Sequence, residues 1–448
     1  MSKKDGSTAQ VFELLLSFAE VLGIEGDKEL AQLVGVSPET IANWRTGAVG
    51  ELKPAKLEQV KRALGSRVAS LREWAGAGEL DLEGGITHLD VAPEASPSEL
   101  QRQLRDRMHY DYLGHRFLYF EPQGALAWEN LIGGGYEQET WLNGVRACAQ
   151  QWLETGRNKD GTAKGPIASS LSLGRRGRTR GLDVISLGPG EGSKEVEVLG
   201  ALEGAEQKID PLPWRSMTMV DVSISLLLRA ALAARRRVAH LPFERSRVFA
   251  ICSDFEEGPL DFARRLPSSR HEEEASRRLV LVLGNVFGNV RHEDTFVRQK
   301  LNFLTRPGDL LWLEVGLRAE KVELDPVYRL TQKSSTETAA ETNRRLLLEG
   351  PYRRWEAALG RKPADIELRV WVREDDDSAS IPGSYNFCHD LVLEQERRAL
   401  TMLYSRRYDL EGLTRWLEQR GYTIERIEKV SDTRRVDRVA HLLLRRTD

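Results

Sequence analysis

The segment Gly181-Leu-Asp183-Val-Ile-Ser186-Leu187-Gly188-Pro189-Gly190-Glu191-Gly192-Ser193-Lys194 runs an apolar stretch into a glycine-rich turn. Gly188, Gly190 and Gly192 can take positive φ and let a ligand approach the main chain, and a helix beginning near Ser193 would offer it free amide groups. The spacing Gly-x-Gly-x-Gly differs from the dinucleotide fingerprint Gly-x-Gly-x-x-Gly, which argues against a nicotinamide cofactor. Such turns also occur without ligands, so the residues downstream must decide. Ser216-Met-Thr-Met-Val220-Asp221 reads as a strand ending in a carboxylate, which can accept both hydroxyls of a ribose. Arg247-Val-Phe-Ala-Ile-Cys-Ser253-Asp254-Phe255 ends in an acid followed by an aromatic ring, suited to the amino group and ring of adenine.

These residues need strands to position them. Besides the three strands just quoted, Arg278–Leu283 precedes Gly284-Asn285-Val286-Phe287-Gly288-Asn289, and Leu310–Val315 follows Pro307-Gly308-Asp309. Strands alternating with helical stretches predict an α/β fold with a mostly parallel sheet covered on both faces, its ligand at the carboxyl ends of the strands.

The ordered set over roughly residues 165–320 resembles the class I S-adenosylmethionine-dependent methyltransferases, with a Rossmann-like sheet. Within them the chain is similar to the histidine-specific methyltransferase family, whose known member methylates the α-amino group of histidine in ergothioneine synthesis. Gly284-Asn285-Val286-Phe287-Gly288-Asn289 is similar to that family's Gly-Ser-x-x-Gly-Asn motif. Leu324-Asp325-Pro326, Leu403-Tyr404-Ser405-Arg406-Arg407-Tyr408 and Gly421-Tyr422-Thr423-Ile424 extend the likeness. The resemblance implies S-adenosylmethionine as cofactor, with Gly188, Gly190 and Gly192 at its amino-acid end, Asp221 on the ribose, and Asp254 and Phe255 flanking adenine. It also implies that Asn289 helps to place the amine acceptor. Glu367, in Ile366-Glu367-Leu368-Arg369, stands where the family's substrate-domain acid contacts the imidazole. Arg369 replaces the family's serine, and His109-Tyr110-Asp111-Tyr112 lies where the family carries Tyr-Tyr-Pro-Thr-Arg.

The first 75 residues form an expected small all-α domain. In Asp27-Lys-Glu-Leu-Ala31-Gln-Leu-Val34-Gly35-Val36-Ser37-Pro38-Glu-Thr-Ile41-Ala-Asn43-Trp44-Arg45-Thr46-Gly47, Gly35 permits a tight turn, and Ser37 followed by Pro38 marks a helix start. This segment resembles the helix-turn-helix of the Cro/CI-like phage-repressor family, which makes residues 27–47 a candidate DNA reader with Asn43 and Arg45 toward the bases or phosphates. Ten basic and ten acidic side chains balance over residues 1–75, so a helical interaction module that touches no nucleic acid is the alternative. A specific DNA contact would then call for a homodimer reading two half-sites.

Gly76, Gly78, Gly84, Gly85, Pro93 and Pro97 predict a linker over 76–105. Residues 106–320 would be the methyltransferase core with a helical lead-in, and 321–448 an α+β substrate-binding region that also completes the sheet. The aromatic residues of the lead-in, among them Tyr110, Tyr112, Tyr119 and Trp128, read as packing rather than as a ligand cage. The 448-residue chain carries 65 basic and 68 acidic residues, is 40% hydrophobic, and shows no apolar run of the ~18 residues a membrane span needs. Its start shows no secretory signal, and Cys148, Cys252 and Cys388 are too far apart for a disulfide framework or a Cys-x-x-Cys metal site. A soluble cytoplasmic protein without a metal is expected.

The sequence-based expectation is an N-methyltransferase acting on an amino acid, small amine or peptide. The alternative is a transcriptional regulator whose methyltransferase-like domain senses S-adenosylmethionine or a metabolite without turnover. No Asn/Asp-Pro-Pro-Tyr/Phe motif points to methylation of DNA itself.

Overall fold

In the computed structural model the described residues are 27–28, 31–32, 35–45, 79–82, 86–95, 97–119, 122–131, 141–156, 164–170, 181–206, 212–238, 241, 246–270, 276–319, 339–361, 366–374, 381–393, 396–431 and 435–447. They include twelve strands: β1 (Glu79–Leu82), β2 (Ile86–Val91), β3 (Gly181–Leu187), β4 (Trp214–Asp221), β5 (Ser246–Cys252), β6 (Ser276–Val282), β7 (Leu310–Gly316), β8 (Ile366–Arg373), β9 (Tyr385–Leu393), β10 (Arg398–Arg407), β11 (Tyr422–Ser431) and β12 (Asp437–Arg446). Nine build a mixed sheet in the order β1-β2-β5-β4-β3-β6-β7-β12-β11, and three build a second sheet in the order β10-β9-β8.

Strands β5, β4, β3, β6 and β7 run parallel, whereas β12 inserts antiparallel between β7 and β11. Such strands must be apolar on both faces, and all seven residues of β3 and of β7 are buried. Alternation divides them between two cores. Leu182 and Val184 face the helices Asn143–Trp152, Ser193–Glu206 and Ile224–Arg237, while Ile185 and Leu187 face Phe287, Phe296 and Trp416. The chain passes from β3 outward to β4 and β5, then returns to the other side of β3 with β6 and β7. A crevice therefore opens between the carboxyl ends of β3 and β6, where the direction of winding reverses.

The expected linker over 76–105 needs correction. Strand β2 pairs parallel with β5, the Ala92 N–H donates to the Cys252 carbonyl at 2.8 Å, and Ala95 is buried in the main core. Pro93 opens a short 3-10 turn and Pro97 opens the helix Pro97–Arg107. Val91, at the end of β2, packs against the main core.

The second sheet is entirely antiparallel and follows β7 in the chain. Helix Ala339–Ala358 and the lead-in helices between Pro97 and Leu131 pack with it around Met108, Phe117, Tyr352, Leu391 and Met402. Strand β10 ties this layer to the main sheet. Thr401 exchanges backbone hydrogen bonds with Asp111 and Leu113 at 2.8 and 2.9 Å, and the Tyr408 N–H donates to the Gly316 carbonyl at the end of β7. Arg406, fully buried, pairs with Glu293 at 2.9 Å and donates to the carbonyls of Val290 and Arg291.

Near the N-terminus, Gly35 has φ +69°, the Ser37 Oγ accepts the Thr40 N–H at 3.2 Å, and a helix runs Pro38–Arg45. Ala31 and Ile41 are buried and Asn43 is exposed. The Arg45 side chain and most of the remaining expected module lie outside the described residues. Among the described residues no helix is long and apolar enough to cross a membrane.

Candidate active site

A cleft of about 760 Å³, measured out to its open mouth, lies at the reversal of winding. Gly188 and Gly190 from the turn after β3, Asp221 from the end of β4, Phe255 beyond β5 and Asn289 beyond β6 all line it. The structure thus brings five of the expected residues to one cavity.

The three turn glycines have φ of +67°, +57° and +84°, where a side chain is strained. A Cβ on Gly190 would meet only Trp128 Nε1, at 3.9 Å, so it would project into the cleft. Gly192 serves packing instead, because a Cβ there would fall 2.7 Å from the Cα of Ala230. The helix Ser193–Glu206 then presents its unpaired N–H groups behind the turn.

Asp221 is buried, and its carboxylate accepts the Ser223 N–H at 2.8 Å. Burial pushes its pKa up to about 6, opposed by the N–H groups of Ser223, Gly190 and Val222. It is therefore a poorly solvated carboxylate with acceptor capacity facing the cleft, which suits a pair of ligand hydroxyls. Phe255 supplies an apolar wall beside it and stacks edge-on against Phe296, with centroids 6.1 Å apart.

Two expected site residues sit elsewhere. Asp254 is buried and does not line the cleft: it pairs with Arg116 and accepts the N–H groups of Glu256 and Glu257 at 3.0 and 3.1 Å. Glu367 lies exposed on β8, the outer strand of the second sheet, paired with Arg369 at 2.7 Å, and does not reach the cleft. It projects from the solvent-facing side of an edge strand. Asn43 lies on the N-terminal helix Pro38–Arg45 and does not line the cleft.

Other cleft residues carry little sequence signal. His115, Tyr119 and Trp128, from the lead-in, form one wall, with Tyr119 edge-on to Trp128 at 5.7 Å. Lys194, two residues past the last turn glycine, reaches the cleft while pairing with the buried Glu314 at 3.4 Å and lying over the Trp141 ring. Glu314 also accepts the Gly284 N–H, so it joins the turns after β3 and β6. Behind it, burial pushes the His441 pKa down to about 3, and the Trp312 indole donates to its Nδ1 at 3.3 Å. Glu195, accepting the Ser186 hydroxyl at 2.7 Å, is pushed up to about 7 by burial. A Lys just inside the helix after a glycine turn was the available signal for the first of these.

Beyond β6, Asn285 adopts φ +58° and its Oδ1 accepts the Gly316 N–H at 2.8 Å. That bond closes the turn so that the short helix Val286–Asn289 ends with Asn289 at the cleft. Among the described residues no group of three or more His, Cys, Asp or Glu is arranged to hold a metal ion.

Strand order, the glycine turn after the first parallel strand and the acid at the end of the next define a Rossmann-like, class I methyltransferase core. The profile of the histidine-specific, S-adenosylmethionine-dependent methyltransferases matches residues 166–435, and the chain belongs to that family. Its cofactor is S-adenosylmethionine. Among solved structures it is similar to the CcbJ methyltransferase of Streptomyces caelestis, with 13% identity over 62% of this chain and 93% of that one and a TM-score of 0.29. It is also similar to the 1,6-didemethyltoxoflavin N1-methyltransferase of Burkholderia thailandensis, with 14% identity, 80% and 93% coverage and a TM-score of 0.35. A curated relative, the (S)-2-hydroxypropylphosphonic acid epoxidase of Streptomyces wedmorensis, is 33% identical over 81 residues. That match takes in 18% of this chain and spans 37% of the relative's length.

Proposed function

We propose that this chain N-methylates an amino acid, a small amine or a peptide. The observation that carries the reading is the charge of the cleft wall. Glu191 and Asp221 line it with the amide of Asn289, and its one lysine or arginine among the described residues, Lys194, is paired with Glu314. Such a wall attracts an ammonium group and disfavours an anionic acceptor.

When bound, S-adenosylmethionine supplies the methyl group from its sulfonium. Asp221 would accept the ribose hydroxyls, Phe255 would cover adenine, and the Gly188–Gly190 turn with Lys194 would hold the amino-acid end. Asn289 would orient the acceptor nitrogen for in-line attack, where alignment supplies much of the acceleration. An amide cannot take a proton, so the acceptor must be neutralised by another group.

Incubation with methyl-labelled S-adenosylmethionine and a pool of amino acids, amines and peptides, read by mass spectrometry, tests this. Labelled N-methyl products are expected. Labelled oxygen or carbon positions would overturn the reading, and cofactor binding without any product would replace it with a metabolite-sensing regulator.

For the N-terminal module we infer a helix-turn-helix that reads DNA as a homodimer. Supporting this are the Gly35 turn, the Ser37 cap and the exposed Asn43 on the helix Pro38–Arg45. Selection from random duplexes at near-physiological salt should enrich a two-part site, with affinity falling steeply as salt rises. Failure to enrich any sequence would leave the module an interaction domain.

A further inference from the structure

We propose that His115, held against Glu256, is the proton acceptor for the substrate ammonium, an inference that rests on the N-methyltransferase reading above. His115 lines the cleft, and its Nδ1 lies 3.5 Å from Glu256 Oε2 with both side chains largely shielded from water. Glu256 is fixed in turn, because its Oε1 accepts the N–H of Arg291 at 2.6 Å. Arg291 stands two residues beyond Asn289, so the pair is tied to the segment that presents the amide.

Three anchors hold the imidazole in place. Backbone bonds from Asp111 and Leu113 to Thr401 fasten the chain to β10 just before it. Gly114, at φ +99°, turns the chain toward the cleft. Arg116 then pairs with Asp254 and, at 3.1 Å, with Glu257. The acid at the end of the third strand therefore contributes to the site by fixing the residue next to His115.

The charged groups around the pair come from each neighbouring element. Arg116 shares the lead-in, Asp254 and Glu257 flank Glu256 in the loop after β5, Arg291 follows Asn289, and the Lys300 ammonium donates to the Gly258 carbonyl at 2.5 Å. Burial pushes Glu256 up, and His115 is the foremost influence holding it down. An imidazolium formed on this side would thus be stabilised by a carboxylate with few waters to compete.

One N–H proton of the substrate ammonium passes to His115 Nε2, the ring nitrogen not facing Glu256, and its bonding pair becomes the nitrogen lone pair. That pair forms the N–C bond as the methyl C–S bond breaks, and the electrons of the broken bond remain on sulfur. The imidazolium then returns its proton to water. Glu195 also borders the cleft, but one of its oxygens accepts the Ser186 hydroxyl beneath the glycine turn.

The test uses the full chain and an acceptor found in the labelled-product screen. His115→Ala should lower kcat/KM at neutral pH roughly a hundredfold or more. In the variant kcat/KM should rise about tenfold per pH unit toward the acceptor's own pKa, whereas the wild type levels off well below it. Added imidazole should restore the rate in proportion to its neutral form. S-adenosylhomocysteine affinity should stay within about twofold, and His115→Gln replaces the alanine variant if the latter fails to fold. Glu256→Gln, a positioning change, should lower kcat at neutral pH while leaving KM and S-adenosylhomocysteine affinity within about twofold.

A wild-type chain that methylates no amine overturns the functional reading and this role together. A wild-type chain that does so, with His115→Ala keeping its rate, lacking imidazole rescue or losing cofactor affinity in step with turnover, overturns only the proton-acceptor role. An unchanged kcat in Glu256→Gln, or a loss of cofactor affinity in step with turnover, overturns the part assigned to Glu256.

Discussion

Asp221→Asn separates what a buried carboxylate does for a ligand from what it costs the fold. Burial raises the Asp221 pKa from 3.8 to about 6 despite three backbone N–H groups that favour the charged form. A displacement of that size is worth about 3 kcal/mol. Because the folded value lies above the unfolded one, the contribution to stability is complete below about pH 3.8 and is lost as pH rises through about 6. Asparagine keeps the volume and one acceptor while removing the charge. The ligand-free variant should therefore gain up to about 3 kcal/mol at pH 8 and change little at pH 4.

Binding should respond in the opposite direction. Losing charge-assisted hydrogen bonds to two ribose hydroxyls costs about 1.5–3 kcal/mol, roughly tenfold to more than a hundredfold in S-adenosylhomocysteine affinity. Wild-type affinity should itself fall about tenfold from pH 7 to pH 5 as Asp221 protonates, and the variant should lack that dependence. Calorimetric titration at both pH values, with urea unfolding of the ligand-free proteins, gives the two readouts. Unchanged affinity at pH 8 would refute the ribose role, and loss of affinity together with stability would make Asp221 a structural residue.

Asn289→Ala should reduce turnover far more than S-adenosylhomocysteine affinity if its amide has the acceptor-placing role proposed above; equal losses in labelled-product rate and calorimetric affinity would reassign it to structure. Gly192→Ala puts a Cβ 2.7 Å from Ala230 Cα at φ +84°, and urea unfolding should show a loss of at least about 1–3 kcal/mol. Arg406→Met removes the buried guanidinium that pairs with Glu293, an expected loss of about 3–5 kcal/mol that Arg406→Met/Glu293→Leu should partly recover in the same assay. A fragment starting at residue 79 should bind cofactor, while one starting at residue 106 should be less stable to heat, because it lacks the strand that pairs with β5 and the buried Ala95.

The five parallel strands were legible because each is a run of apolar residues ended by glycine, aspartate or asparagine, and a two-faced buried strand requires such a run. The same endings located Gly188, Asp221 and Asn289, since side chains at the carboxyl ends of adjacent strands must converge on one crevice. The pattern says nothing about what covers the crevice. Arg116 meets Asp254 across 138 residues, and Trp128 meets the Gly190 turn from a separate helix; neither contact leaves a periodic trace. The short strand β2 was hidden for a related reason, its few apolar residues lying among the glycines and prolines that end it.

Asp254 and Glu367 show how a strand-end or strand residue of the right type can be read for the wrong contact. At Asp254 the position is functional in geometry, yet the carboxylate is engaged by Arg116 and two backbone N–H groups, so little acceptor capacity is left for an adenine amino group. Its effect passes through Arg116 to the neighbouring His115. At Glu367, β8 has a partner on one side only, and an outward residue of an edge strand answers to solvent rather than to the cleft. On the function proposed above, recognition of the acceptor side chain falls to cleft walls other than Glu367, among them His115, Tyr119 and Trp128 of the lead-in.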